Sequence, residues 1–249
     1  MSELEVPRGP DTMSPELADA KNYYRWVFDR IAPYLGDRIL DIGGGYGSHL
    51  DPIVRSGRRV LSVDHSPEAT EWMESRFGDQ SGFETLCADF DAEETRRELL
   101  ARDFDTIVCL NVLEHIEDDL AALRGMGAIL GKGGTLVLQI PAHPRLYGRL
   151  DSLAGHYRRY TASGMEKLLT AAGFDNLRIE YFNRFGVIPW LINGRLFKPK
   201  RMDTEGVGLQ VRIFDHYLVP VARLVDAVLR LPFGQSLIAI ARFPGGLAC

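Results

Sequence analysis

Short apolar segments alternate with segments of helical periodicity along most of this chain. Apolar runs of this length, bounded by glycine, proline or charged residues, are typical of β-strands. Strands that alternate with helices predict an α/β fold with a doubly wound, parallel sheet. The predicted strands are residues 38–42, 59–63, 83–88, 104–110, 135–140, 174–182 and 237–242.

Four other segments carry residues that typically start or end a helix; one precedes the first strand, and the others lie between strands. The first begins at a Ser-Pro-Glu sequence at 14–16 and ends before Gly36, and the same Ser-Pro-Glu sequence recurs at 66–68. Ser163 and Glu166 have the spacing of a capping box. The predicted helices are residues 14–35, 66–77, 118–130 and 161–172.

Residues 183–234 do not follow the alternation of strands and helices. They mix turn residues with an apolar, helix-like stretch at 211–231. We interpret them as a helical cap inserted between the last two strands of a single domain, residues 1–249, in which residues 1–35 form an N-terminal helical lid. The apolar stretch fits a lid, a homodimer contact or a membrane-surface helix, in that order of preference.

Composition narrows the class of protein. The 29 basic and 34 acidic residues give a net charge of −5, which disfavours a nucleic-acid partner. Three scattered cysteines are too few for a disulfide framework, so reduced thiols and a cytoplasmic location are expected. No apolar run reaches about 18 residues, so no stable membrane insertion is expected.

A glycine-rich turn directly follows the first predicted strand, in the sequence ILDIGGGYGSHL at residues 39–50. A dinucleotide-binding turn with the spacing G-x-G-x-x-G would need a glycine where the chain has Ser48. Glycines in such a turn allow the backbone to approach a bound ligand closely. The turn has the pattern D-x-G-x-G-x-G, formed by Asp41, Gly43, Gly45 and Gly47.

This turn resembles the first motif of the class I S-adenosylmethionine-dependent methyltransferases. The segment CLNVLEHIEDD at 109–119 resembles its counterpart in small-molecule methyltransferases of the UbiE/UbiG-like type. The resemblance covers about residues 35–182 and the last strand. It implies a seven-stranded, Rossmann-like sheet of order 3-2-1-4-5-7-6, with S-adenosylmethionine as cofactor and S-adenosylhomocysteine as product. It also implies that Asp41 orients the turn and the amino group of the cofactor.

Residues after the next three strands complete the implied cofactor site. Asp64 lies 17 residues beyond Gly47, near the spacing of about 20 that is typical of a carboxylate that binds ribose hydroxyls. Capping of the next helix is the alternative for Asp64, and core packing is the alternative for Phe90 and Tyr24. The implied contacts are His65, Asp89 and Phe90 to adenine, Leu110 and Asn111 to the methionine part, and Tyr24 to the carboxylate of the cofactor.

By the same resemblance, the methyl acceptor binds where the fourth and fifth strands end. Residues 141–161 carry four arginines and one acid, a local charge of +3. Arginine forks would hold a carboxylate or phosphate of the acceptor. Alternatively, the arginines pair with Glu114, Glu117 or Asp118 and lock this loop over the sheet. The candidate acceptor-binding residues are His115, Tyr147, Arg158, Arg159, Tyr160 and Trp190.

A hydroxyl or amine acceptor would also need a base, whereas a carboxylate acceptor would need none. His143 and His156 are the candidates for this catalytic role, and a structural histidine is the alternative for each. His115 fits a base and a helix-start residue equally well. No metal is expected, because these three histidines lack the spacing of ligands on one helix.

These patterns predict an enzyme of small-molecule or natural-product biosynthesis. It would transfer a methyl group from S-adenosylmethionine, by in-line displacement, to an acceptor that bears a carboxylate or phosphate. One alternative is a methyltransferase that acts on protein or RNA. Another is a cofactor-binding protein of the same fold with a regulatory or non-methylating role.

Overall fold

The computed structural model describes residues 20–187, 211–229 and 231–245. Within these ranges, seven strands form one sheet. Each strand lies where the sequence predicts it, with ends that differ by at most two residues. The strands are β1 (Arg38–Ile42), β2 (Arg59–Asp64), β3 (Phe83–Cys87), β4 (Thr106–Leu110), β5 (Thr135–Pro141), β6 (Asp175–Phe182) and β7 (Ser236–Arg242).

The strand order is β3-β2-β1-β4-β5-β7-β6, which confirms the order implied by the resemblance. The first five strands are parallel to one another. β7 is antiparallel to both β5 and β6, so the prediction of a fully parallel sheet is wrong at this edge. The chain leaves β6 and enters β7 at the same edge of the sheet, where Phe182 pairs with Ser236.

Side-chain caps begin several of the helices. Ser66 accepts a hydrogen bond from the Ala69 N–H, as the Ser-Pro-Glu sequence predicts. The predicted capping box of Ser163 and Glu166 is wrong, because Thr161 caps that helix two residues earlier. The α-helices are α1 (Lys21–Ile31), α2 (Leu50–Val54), α3 (Pro67–Phe77), α4 (Glu93–Leu100), α5 (Asp119–Leu130), α6 (Arg149–Leu153), α7 (Ala162–Ala171) and α8 (Val219–Val228).

The central strands of the sheet, β1, β2, β4 and β5, are buried on both faces, and alternate strand residues point to opposite sides. Leu40 of β1 and Ile107 of β4 pack in one apolar cluster with residues of α5 and α7. Ile39 and Val108 pack in the other cluster with residues of α1, α2, α3 and α8. Because each fully buried residue of this kind contributes about 1.5–3 kcal/mol, these two layers hold the strand ends, and thus the site, in place.

The predicted lid helix and the described part of the predicted cap pack against each other. α1 has no cap of its own, and Asp215 instead accepts hydrogen bonds from the N–H groups of Asn22 at 3.0 Å and Tyr23 at 2.8 Å. Arg223 of α8 lies 2.9 Å from Asp29 of α1. In the part of the chain that the structure describes, no helix is both long and apolar enough to cross a membrane.

Candidate functional site

The chain leaves β1 in a tight turn at the carboxyl edge of the sheet. Gly43, Gly45 and Gly47 have φ values of 73°, 53° and 65°, a region that residues with side chains rarely adopt. A Cβ on Gly43 would collide with the Val112 side chain, and one on Gly47 would lie 2.7 Å from the Phe77 ring. Backbone geometry therefore favours glycine at all three positions, and close packing requires it at Gly43 and Gly47.

Asp64 at the end of β2 holds the turn in place. Its Oδ2 accepts a hydrogen bond from the Gly45 N–H at 2.8 Å, and its Oδ1 accepts one from the Ser66 N–H at 2.9 Å. Ser66 provides the side-chain cap of α3, so the alternative in which Asp64 serves as that cap is not favoured. Each carboxylate oxygen can accept a second hydrogen bond, which leaves capacity for two ribose hydroxyls.

Two adjoining cavities, of about 120 and 190 Å³, open where β1, β2 and β4 end. They share Gly43, Asp64, His65, Val112 and His115 as wall residues. The implied adenine contacts line the larger cavity, and the implied methionine contacts line the smaller one. Every predicted cofactor residue except Asp41 and Gly47 lines at least one of them: Tyr24, Gly43, Gly45, Asp64, His65, Asp89, Phe90, Leu110 and Asn111.

Asp41 lies beneath the turn and is fully buried. Its Oδ2 accepts a hydrogen bond from the Ser62 hydroxyl at 2.7 Å, and its Oδ1 lies 2.6 Å from His49 Nε2. These contacts agree with an orienting role for Asp41 in the turn. The implied contact with the cofactor's amino group lacks support, because Asp41 does not line either cavity.

The smaller cavity has a wall residue that sequence reasoning missed. Gln139 of β5 lines it, and its Nε2 donates a hydrogen bond to the Tyr23 hydroxyl of α1 at 2.9 Å. Its backbone carbonyl accepts from the N–H of Asn111, which has the left-handed φ of 56°. A polar residue inside the otherwise apolar strand TLVLQIP is the sequence feature that could have identified Gln139.

A third, larger cavity of about 560 Å³ lies beside α1 and α2. Tyr24 and Ser48 line it and also line the smaller of the two strand-end cavities. Among the described residues that line it, Tyr24 alone belongs to the predicted cofactor set. Burial raises the pKa of the Tyr24 phenol, which therefore stays protonated and able to donate a hydrogen bond at neutral pH.

Arg159, a predicted acceptor contact, is buried in a structural ion pair. Its Nε donates to Asp151 Oδ1 at 2.7 Å, and its Nη1 donates to the Ala142 carbonyl at 3.1 Å. The Arg159 and Asp151 side chains are almost completely inaccessible to solvent. These contacts favour the alternative in which the arginines lock the loop.

Arg158 is also paired, 2.9 Å from Asp119 Oδ2, and its Nη2 donates to the Glu117 carbonyl. Asp119 and Asp151 are each ion-paired with one of these two arginines. These two aspartates, rather than Glu117 or Asp118, thus supply the carboxylates within hydrogen-bond distance. The charge of Arg159 also acts on Glu114, where it opposes the rise in the pKa of that carboxyl.

Tyr147 and Tyr160, two further acceptor candidates, and the catalytic candidate His143 do not line the two strand-end cavities. Tyr160 donates to Asp119 Oδ2 at 3.1 Å, and the exposed Tyr147 donates to the His156 carbonyl at 2.7 Å. His143 stacks on Tyr181, with 5.0 Å between ring centres, and lines neither strand-end cavity. Trp190 lies outside the described residues.

His115, like His65, lines both cavities. Its ring meets the ring of His156 edge to face, with 4.7 Å between their centres. Burial lowers the pKa of His115 to about 4, so this side chain is neutral at pH 7. His156 lies behind it, and its Nδ1 is 2.9 Å from Asp151 Oδ1.

Glu114 was predicted only as an arginine partner, but it joins the two histidines. It is 1% exposed, and its Oε1 lies 4.0 Å from His156 Nε2. Burial raises the pKa of Glu114 to about 7. The ligand atoms of Glu114, His115 and His156 all lie within 4.8 Å of one another. The spacing argument against a metal considered ligands on one helix, whereas two separate segments of the chain supply this group.

Comparison with known proteins agrees with this geometry. Residues 14–179 match a family described as a methyltransferase domain. The ubiquinone biosynthesis O-methyltransferase of Aeromonas salmonicida is 28% identical over 123 residues, which cover 49% of this chain and 51% of the relative. A tRNA U34 carboxymethyltransferase of Chromohalobacter salexigens is 34% identical over 140 residues, which cover 53% of this chain and 41% of the relative. The chain thus spans about half the length, or less, of these relatives.

Among solved structures, a SAM-dependent methyltransferase from Archaeoglobus fulgidus has the same fold. It matches with a TM-score of 0.57 at 20% identity, over 93% of this chain and 96% of that one. The match to the methyltransferase domain family spans about two thirds of the sequence, and the strand order agrees with it. The chain therefore belongs to the class I S-adenosylmethionine-dependent methyltransferases.

Proposed function

We propose that this protein transfers the methyl group of S-adenosylmethionine to a small-molecule acceptor. The observation that supports this proposal is the pair of adjoining cavities whose walls hold nine of the predicted cofactor residues. The larger cavity would receive adenine beside Asp89 and Phe90, with the ribose on Asp64. The smaller cavity would receive the methionine part, and the reactive methyl would then lie near His115, which borders both.

The transfer itself needs little chemistry from the protein. A lone pair of the acceptor forms the new bond to the methyl carbon as the carbon–sulfur bond breaks. The electrons of that bond remain on sulfur, which yields S-adenosylhomocysteine. Positioning of the acceptor in line with the breaking bond supplies much of the rate.

A hydroxyl or amine acceptor must also lose a proton. Neutral His115 can accept a hydrogen bond from such a group in the cavity. Glu114, with a pKa raised to about 7 by burial, is the adjacent group best suited to take the proton at neutral pH. We therefore favour this pair over His143, because His115 lines both cavities and brings the adjacent Glu114 close to them, whereas His143 lines neither. His156 retains a supporting role through its contact with His115.

The proposed acceptor class depends on whether the arginines of residues 141–161 can bind an anionic group. Arg158 and Arg159 are engaged with Asp119 and Asp151, so they no longer support an acceptor held by its carboxylate or phosphate. We propose a small molecule with a hydroxyl or amine nucleophile. The similarity to a tRNA-modifying enzyme favours RNA as the competing acceptor, and the net charge of −5 opposes it.

The test supplies methyl-labelled S-adenosylmethionine with three separate acceptor pools: a small-molecule extract, tRNA and protein. We expect label in the small-molecule pool, loss of labelling in Asp64→Ala, and normal labelling in the control Asp79→Ala, which changes an exposed aspartate. Label in tRNA or protein would contradict the proposal of a small-molecule acceptor and identify a macromolecular one. Binding of S-adenosylhomocysteine without label in any pool would support a non-methylating role.

A further inference from the structure

Three side chains that commonly bind metals converge beside the proposed methyl-donor cavities. Glu114 and His115 lie in the 3₁₀ turn Leu113–His115 after β4, and His156 lies in the loop after α6. Their ligand atoms fall within 4.8 Å of one another. The two loops meet directly, because the Tyr157 N–H donates to the Glu114 carbonyl at 2.8 Å. The convergence is therefore supported by the backbone as well as by the side chains.

An unpartnered oxygen provides a second, independent observation. Glu114 is 1% exposed, and its Oε2 has no hydrogen-bond partner among the described residues. A buried carboxylate oxygen without a partner is costly, and such groups in folded proteins normally have a hydrogen bond, a water or an ion. A bound cation would supply the missing interaction.

The surroundings of His156 resemble those of a metal-bound imidazole. Its Nδ1 is hydrogen-bonded to Asp151, which Arg159 in turn holds at 2.7 Å. This leaves Nε2 on the side of Glu114, 4.0 Å from Oε1. A carboxylate that holds the far nitrogen of a histidine fixes the ring and its tautomer, which is the usual arrangement around metal-bound histidines.

We propose that Glu114, His115 and His156 bind a divalent transition-metal ion, for which Zn²⁺ is the test ion. Two imidazoles and one carboxylate form a ligand set that suits Zn²⁺ or Fe²⁺ and leaves open positions. Two ligands that are each about 2.1 Å from one ion are roughly 3.0–3.4 Å apart, so a separation at the 4.8 Å limit of the cluster must shrink by roughly 1.4–1.8 Å on binding. Small side-chain rotations of Glu114 and His115 would achieve this.

The position of the ion suggests its task, and this part rests on the proposed function. Because His115 lines both cavities, the open positions of the ion would face the acceptor. An acceptor oxygen bound to such an ion loses its proton more readily, and the freed lone pair then attacks the methyl carbon. With the ion bound, Glu114 and His115 are ligands rather than the proton-accepting pair, so the proton passes to solvent, and the sulfur keeps the electrons of the broken bond.

The experiment measures metal binding alone, without cofactor or acceptor. Tag-free protein is treated with a chelator, dialysed and titrated with Zn²⁺ in a calorimeter, and Co²⁺ binding is followed by visible absorption. The wild type should bind one Zn²⁺ with micromolar or tighter affinity, and Glu114→Gln and His156→Gln should each weaken binding at least about tenfold. His143→Gln is the matched control, because His143 lies outside the cluster, and it should bind as the wild type does.

Circular dichroism establishes that each variant is folded. If His156→Gln does not fold, the nearly isosteric Glu114→Gln and the Co²⁺ spectrum of the wild type still decide the matter. No Zn²⁺ binding by folded wild type, or equal binding by wild type and Glu114→Gln, would overturn the proposal. A parallel titration with S-adenosylhomocysteine separates this outcome from failure of the proposed function, since the cofactor residues are not changed.

Discussion

The methyl-donor side and the acceptor side of the site are held together by different kinds of contact. On the donor side, main-chain groups dominate, with glycines at positive φ and the N–H groups of Gly45 and Ser66 on Asp64. On the acceptor side, buried charged side chains pair across loops, as Arg159 does with Asp151. The donor side therefore depends on backbone conformation, and the acceptor side depends on the compensation of buried charge.

Removal of a buried charge on the acceptor side should have the largest effect. Arg159→Ala leaves the Asp151 carboxylate buried without its main cation, and we expect the free energy of unfolding to fall by about 3 kcal/mol or more. Urea unfolding followed by circular dichroism measures this loss. A loss below about 1 kcal/mol would mean that the ion pair does not hold this side together.

A side chain in the glycine turn should have the next largest effect. Gly43→Ala introduces a Cβ that collides with Val112 and forces an unfavourable φ. We expect a stability loss of about 2 kcal/mol and at least about thirtyfold weaker binding of S-adenosylhomocysteine, measured by calorimetry.

Gly57→Ala is the matched control for this change. Gly57 has a φ of 79°, and a Cβ there would meet none of the described residues within 4 Å. It should lose about 1 kcal/mol of stability and keep its affinity for S-adenosylhomocysteine. Equal affinity losses in both variants would show that the turn does not shape the donor site.

A smaller effect is expected at Asp215, a residue of the predicted cap that contacts the start of α1 rather than the cavities themselves. Asp215→Ala removes the carboxylate that accepts from Asn22 and Tyr23 at the start of α1, at a cost of about 1–2 kcal/mol. Because α1 carries Tyr24, affinity for S-adenosylhomocysteine should also fall several-fold. Asp29→Ala, which removes a partly exposed ion pair on the same helix, should leave that affinity unchanged.

The smallest effect is expected at Arg158. Its ion pair with Asp119 is partly exposed, so Arg158→Ala should cost less than about 1 kcal/mol. The KM for the acceptor should stay within twofold of the wild type in steady-state assays. A large rise in KM with unchanged kcat would support the rejected hypothesis that this arginine binds an anionic acceptor.

The fold was largely predictable because its signals are local. Each apolar run between turn residues became a strand, and a fully buried strand such as β4 has no polar face to confuse the pattern. The direction of β7 was not predictable from the strand's own sequence. It depends on the edge of the sheet at which the chain enters β7 after residues 183–234. The capping error at Ser163 arose because Thr161, two residues earlier, is an equally good cap residue.

The donor side of the site was more predictable than the acceptor side, again because local signals can be predicted from sequence and long-range contacts cannot. The donor residues lie in contiguous motifs after successive parallel strands, so their order along the chain already places them at one edge of the sheet. The acceptor contacts join distant positions, such as Glu114 and His156, and nothing in their spacing indicates the partner. His143 and His156 look alike as sequence candidates, and only tertiary packing separates them.

The most direct test of the account is a calorimetric titration with S-adenosylhomocysteine. The wild type and Asp79→Ala should bind with micromolar affinity and should not bind NAD. Asp64→Ala should bind at least about fiftyfold more weakly, because it removes the charged carboxylate that would accept hydrogen bonds from the ribose hydroxyls and that accepts one from the Gly45 N–H of the turn. No binding by folded wild type, or equal binding by wild type and Asp64→Ala, would contradict the assignment of these cavities to the methyl donor.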